Sequence, residues 1–129
     1  MKTLFTSFLV VLLIAFSSFT QSGNIDAIIS ALRSGNATEL SDYFDDNIEL
    51  TLPDKANSYS KAQAVVILKD FFSNNGIKNF ELKHKGNNGG AQFCIGTLQT
   101  KSGNFRTTVF MKIKNNKDVV KDIRFQSME

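Results

Sequence analysis

Three turn clusters divide the second half of the chain into four segments of similar length, and this spacing constrains the fold more than any other feature. The clusters are Gly86-Asn87-Asn88-Gly89-Gly90, Lys101-Ser102-Gly103-Asn104 and Asn115-Asn116-Lys117-Asp118. Glycine and asparagine accept the positive φ that tight hairpins require, so each cluster reverses the chain. The spacing predicts strands near Lys78–Lys85, Ala91–Thr100, Phe105–Lys114 and Val119–Gln126. Strands joined by connections this short are antiparallel neighbours, because a parallel pair needs a long crossover. A meander with an apolar face must bury that face against another layer.

The first half supplies that layer. Ile25, Ile28, Ile29 and Leu32 fall on one side of a helix that Asn24 caps and Ser34-Gly35 ends. Asn36 opens a second, shorter helix with Glu39 in capping-box position, and Leu40, Tyr43 and Phe44 form its apolar face. Asp45-Asp46-Asn47 follows. These residues bond their own backbone and favour turns, so they read as a helix-to-strand turn rather than as catalytic acids. Ile48, Leu50 and Leu52 alternate with polar residues as a half-buried strand that Pro53 ends, and a polar loop follows. Ser60 and Gln63 form a capping box before a helix whose broad apolar side is Ala64, Val65, Ile67, Leu68, Phe71 and Phe72. Asn74-Asn75-Gly76 stops it. The order predicts an α+β fold, with N-terminal helices packed on one face of a curved antiparallel sheet.

The 129 residues suffice for one domain. Ahead of it, Lys2 precedes an apolar run from Leu4 to Phe16, and small and polar residues lead to Ser22. This is the layout of a secretory signal peptide. We therefore expect residues 1–22 to be a signal peptide, cleaved near Thr20–Ser22, and residues 23–129 to be a single secreted or periplasmic domain. The run is shorter than the ~20 residues of a membrane span, and no later run is long enough, so no span is expected after cleavage. Cys94 is the single cysteine, which excludes an internal disulfide and leaves core burial to hold the fold. An exported domain without disulfides fits a bacterial envelope better than an animal secretory route.

Charge is segregated along the chain. Residues 21–60 carry two cations against seven carboxylates, a net of −5, whereas residues 61–129 carry twelve against five, a net of +7. Lysine-rich strands discourage edge-to-edge pairing. That is the favoured reading of these lysines, and the sharper alternative is a basic face for an anionic envelope component or an acidic partner.

The stretch "YFDDNIELTLPD…YSKAQAVVILKDFF" resembles the nuclear transport factor 2-like superfamily, which includes ketosteroid-isomerase-like and polyketide-cyclase-like proteins. There an aspartate-rich helix end, a strand, a loop and a helix ending in paired aromatics precede long strands. Tyr59-Ser60 stands where that superfamily usually has a glycine. More narrowly, "DFFSNNGIKNFELKHKGNN…CIGTLQTKSGNFR" is similar to a family of small secreted proteins, chiefly from Bacteroidetes, known as a domain of unknown function. The resemblance implies a cone-shaped fold over the whole mature chain. It implies little about activity, because this scaffold hosts enzymes, binding modules and dimerisation domains.

The residues able to carry chemistry are few. His84, the single histidine, shares the face of Phe80 and Leu82 by strand alternation and is expected to point toward the helices. There it would serve a pocket as an acid, base or hydrogen-bonding group, or be satisfied as a core histidine. The expected pocket is lined by Tyr43, Phe72, Phe80, Leu82, His84 and Phe110. Cys94 lies in an apolar strand and reads as a buried thiol without a base beside it. Gly96 marks a bulge or bend. Arg106 is a weak anion-binding candidate.

Acid–base catalysis of the isomerase kind needs a carboxylate in an apolar pocket. Glu49 and Glu81 point away from the expected core, and Asp42, Asp46 and Asp54, the acids that remain near the pocket mouth, are not placed by their neighbours as a base. The sequence has no phosphate loop, Cys-x-x-Cys, His-Glu-x-x-His or Gly-x-Ser-x-Gly motif, so no cofactor or metal site is expected. Nucleic-acid binding fits neither an export signal nor a net charge of +3. Three functions stay open: a non-enzymatic module binding a small apolar or amphipathic ligand or a partner, an isomerase or cyclase using His84 or Asp42, and a homodimer formed through the sheet.

Overall fold

The structure is a computed structural model that describes residues 23–128 except residue 90, so the expected signal peptide lies outside the described residues. Helix α1 (Gly23–Ser34) and the short α2 (Ala37–Ser41) lead into strands β1 (Phe44–Leu52) and β2 (Lys55–Ser60). Helix α3 (Lys61–Asn75) then precedes β3 (Ile77–Asn88), β4 (Ala91–Thr100), β5 (Gly103–Lys114) and β6 (Lys117–Ser127). The sheet order is β2-β1-β6-β5-β4-β3.

Local chemistry sets the helix boundaries. The Asn36 side chain accepts the Glu39 amide at 3.0 Å, and Ser60 and Gln63 form both halves of a capping box. Gly35 and Gly76, at φ 67° and 69°, take the left-handed conformation that ends α1 and α3. Asn115 and Asn116, both at positive φ, turn β5 into β6.

The helices cover one face of the sheet. Ile28 and Leu32 of α1, Leu40 of α2 and Leu68 of α3 are fully buried against Leu98, Val109, Ile123 and Phe125. Aromatic rings pack against one another between the layers. Phe71 lies 4.9 Å from Phe125 and 5.3 Å from Phe105 between centroids, and Phe72 meets Phe125 edge-on at 6.0 Å.

The structure departs from the sequence expectation at four places. The sheet is antiparallel except where β1 joins β6 in parallel, a contact that no local pattern announces. The polar loop after Pro53 is strand β2, paired with β1 from Leu52↔Lys55 to Asn47↔Ser60 around a two-residue turn. As an edge strand it keeps polar, exposed side chains and so lacks the alternation that marks a half-buried strand. Helix α2 stops at Ser41, and Phe44 begins β1 while remaining in the core.

The fourth departure is Asp45-Asp46, which lies inside β1 rather than in a turn. Between Phe44↔Val120 and Glu49↔Asp122, β1 spends four residues where β6 spends one. The excess bows the segment out of the ladder, as a bulge does, and sets its carboxylates against β5.

Candidate functional site: the open face of the sheet

The register assigns every strand residue to a face. Cys94, Leu98, Val109 and Ile123 are fully buried under the helices. Their strand neighbours Phe93, Ile95, Thr108 and Phe110 therefore lie on the opposite, open face.

Two cross-strand rows define the open face. One runs Gly86–Phe93–Phe110–Asp122–Glu49–Ser58, and the next runs His84–Ile95–Thr108–Arg124–Thr51–Ala56. Both rows are more apolar on the β4–β5 side and more polar on the β1–β2 side. Gly86 is required where it stands, because a Cβ there would come within 2.9 Å of the Phe93 ring.

The expected pocket residues do not come together. Phe80, 1% exposed, and Phe72 are core side chains, and Tyr43 and Leu82 are partly buried packing on that core. His84 is exposed, on the open face, with its ring 5.5 Å from that of Phe93. The expectation that it points at the helices is corrected by a bulge. Leu82 pairs with Gly96 but His84 pairs with Ile95, so Lys83 is an extra residue and alternation reverses after it. Phe110 is half-buried on the open face, and Arg106, paired with Thr97, is exposed on the same face. Three of the seven candidates thus share the open face, and four belong to the opposite side.

Gly96 stands opposite that bulge, within a residue of where the sequence suggested an irregularity. Its missing side chain admits the Phe80 ring, which a Cβ would strike together with the Glu81 carbonyl. Cys94 is the buried thiol expected, its pKa pushed up to about 12 by burial.

The open face holds two adjoining clefts. An apolar one of about 480 Å³ is lined by Ala91, Phe93, Ile95, Phe110, Met111 and Lys121, among others. A polar one of about 450 Å³ is lined by Asp45, Glu49, Ser58, Lys112, Lys121 and Asp122, among others. Lys121 stands on the boundary of both. It is the residue left over where Phe110 pairs with Asp122 but Met111 pairs with Val120.

Electrostatics around the clefts follow from close pairs. The Asp45 carboxylate meets Lys112 Nζ at 2.6 Å and Lys114 Nζ at 2.8 Å, and Lys114 also reaches Asp46 at 3.1 Å. Those two ammoniums, Lys112 first, hold the Asp45 carboxyl far below the usual carboxylate range despite its burial. Asp45 in turn raises the Lys114 ammonium above its ordinary value. Arg124 donates to Asp122 at 3.1 Å, which raises its pKa, and its guanidinium sits 5.4 Å from the Phe110 ring centroid.

The segregated charge is thereby resolved. Acids of the first half pair with bases of the second, Asp26 with Lys85 as well as Asp45 with Lys112 and Lys114. Phe93, Ile95, Lys121 and the Asp45 cluster escaped sequence reasoning. Alternation about the buried Cys94 would have found the first two, but the bulge residue Lys121 has no pattern to mark it. Among the described residues no group of His, Cys, Asp and Glu is arranged to hold a metal ion. None of their helices is long and apolar enough to cross a membrane.

Residues 25–126 match the family described as Domain of unknown function (DUF4783). The crystal structure of a DUF4783 family protein from Bacteroides uniformis is 33% identical over 81% of this chain and 96% of its own, with a TM-score of 0.78. One from Bacteroides ovatus is 31% identical over 80% of this chain and 94% of its own, with a TM-score of 0.77. A more distant likeness is an NTF2-like protein of unknown function from Burkholderia xenovorans. It is 16% identical over 83% of each chain, at a TM-score of 0.63, and shares the fold alone. No curated protein matches the chain.

Proposed function

The chain belongs to the DUF4783 family and has a nuclear transport factor 2-like fold; from that premise we propose that it is a non-enzymatic binding module whose working surface is the open face of its sheet. The observation that carries this reading is the half-buried trio Phe93, Ile95 and Phe110, lying uncovered beside charged side chains. Large apolar side chains left together on a surface mark places where something binds. The aromatic packing of Phe71, Phe72, Phe105 and Phe125 speaks against a ligand between helices and sheet. Catalysis has weak support, since His84 faces solvent and Asp45 is held ionised by two lysines. The leader-like run at the start of the sequence supports work outside the cytoplasm, as a secreted or periplasmic protein.

The test is an NMR titration of the labelled mature protein with a panel of small aryl and alkyl fragments. Shifts should cluster on Phe93, Ile95 and Phe110 while Phe72 and Phe80 stay unmoved. Shifts confined to the interior, or none at millimolar fragment, would contradict the reading.

A second reading is self-pairing through this face. It is favoured by the presence of both charge signs beside the aromatic residues, Asp122 and Glu49 on one side and His84 and Arg106 on the other. A self-complementary interface needs such a mixture. Sedimentation that shows monomer alone across the micromolar range excludes it.

A further inference from the structure

We infer that the apolar cleft on the open face takes a free, single-chain amphiphile carrying one negative charge, its tail on Phe93, Ile95 and Phe110 and its headgroup on the Lys121 ammonium. The inference rests on the open-face reading above and adds the chemistry of the occupant. Its volume, about 480 Å³, lies within the range of small-molecule sites. The floor is two phenylalanines, paired across β4 and β5, with Ile95 beside them.

Lys121 decides the headgroup. The bulge between Val120 and Asp122 turns it to the cleft boundary, where it lines both the apolar and the polar side. Among the described residues, no carboxylate lies within ion-pair distance of it. The carboxylates beyond it interact with other cations. Asp45 is held by Lys112 and Lys114, Asp122 by Arg124, and Glu49 interacts with Arg124. Around the aromatic floor stand His84 against Phe93, Arg124 over Phe110, Thr108 between them, and Gln92, whose side-chain amide donates to the Asp118 carboxylate at 3.2 Å. An ammonium without a counter-ion at the lip of an apolar floor complements an anion with a hydrocarbon tail. A cationic amphiphile would meet Lys121 and Arg124 unfavourably.

The experiment compares sodium octanoate, octanol and octylammonium by NMR titration of the intact mature protein. Lys121→Gln and Lys121→Glu serve as variants, since Lys121 is exposed and its replacement leaves the core untouched. Octanoate should shift Phe93, Ile95 and Phe110 saturably and bind more tightly than octanol, with octylammonium weakest. Lys121→Gln should remove the preference for octanoate, a loss of about tenfold for one charge-assisted contact, and Lys121→Glu should reverse the order. Equal binding of all three probes at this face overturns the headgroup assignment while leaving the open-face reading in place. An octanoate preference that survives Lys121→Gln overturns the role of Lys121. No shift at the face with any probe ends both. Co-sedimentation with phosphatidylglycerol vesicles that Lys121→Gln abolishes would overturn the free ligand in favour of a membrane headgroup.

Discussion

The two faces of the sheet are built from alternate residues of the same strands, yet they follow opposite rules. Beneath the helices, Leu98, Val109, Ile123 and Phe125 are sealed by close-packed rings and aliphatic chains. On the other side, Phe93, Ile95 and Phe110 keep part of their surface in water, framed by ion pairs. Burial stabilises the first face by roughly 25 cal/mol per Å² of apolar surface removed from water. The second, half-buried, forgoes part of that stabilisation. Between helices and sheet, Phe71, Phe72, Phe105 and Phe125 pack ring against ring, whereas the other side leaves its aromatic residues uncovered.

The contrast can be broken most forcefully at Gly96. A side chain there meets the Phe80 ring and the Glu81 carbonyl, so Gly96→Val should lower stability by about 3 kcal/mol, the scale of overpacking in a tight core. Denaturant unfolding measures this, and a neutral result would mean that the helix-side layer has room to spare.

Asp45 comes next, because it ties β1 to β5 beside the open face. Its folded pKa is depressed, so its contribution is present above the ordinary carboxylate value near pH 4 and is lost as pH falls toward the depressed value. Asp45→Asn should cost about 1 kcal/mol at neutral pH, a modest figure because both lysines are partly exposed. The difference from the parent should shrink in unfolding curves taken progressively below pH 4. A pH-independent difference would remove the ion pairs from the account.

His84→Ala sharpens the contrast with the smallest effect. An exposed ring resting on Phe93 should change stability by no more than about 0.5 kcal/mol. A loss of several kcal/mol in the same unfolding assay would return the imidazole to the core.

Much of this architecture was legible in the sequence, and the exceptions have physical causes. The caps at Asn36 and Ser60, the stops at Gly35 and Gly76 and the four-strand meander are encoded locally, by side chains that bond nearby backbone or accept positive φ. Strand β2 was hidden because an edge strand exposes polar residues. The parallel β1–β6 contact joins segments about seventy residues apart in sequence and leaves no periodic trace. The site failed at one residue. Alternation counted from Phe80 is sound as far as Leu82, and Lys83 then inserts a step that carries His84 through the sheet. The glycine that hints at this irregularity lies on the partner strand, where counting along β3 does not meet it.

Neighbouring positions 94 and 95 test the central claim most directly. Cys94 is fully buried and Ile95 faces outward, so thiol labelling reads the two faces one residue apart. The account predicts that Cys94 in the native protein resists a thiol reagent until the protein unfolds. A Cys94→Ala, Ile95→Cys double variant should label orders of magnitude faster while still folded. Equal rates, or a native Cys94 that reacts promptly, would contradict the assignment of a sealed side and an open one.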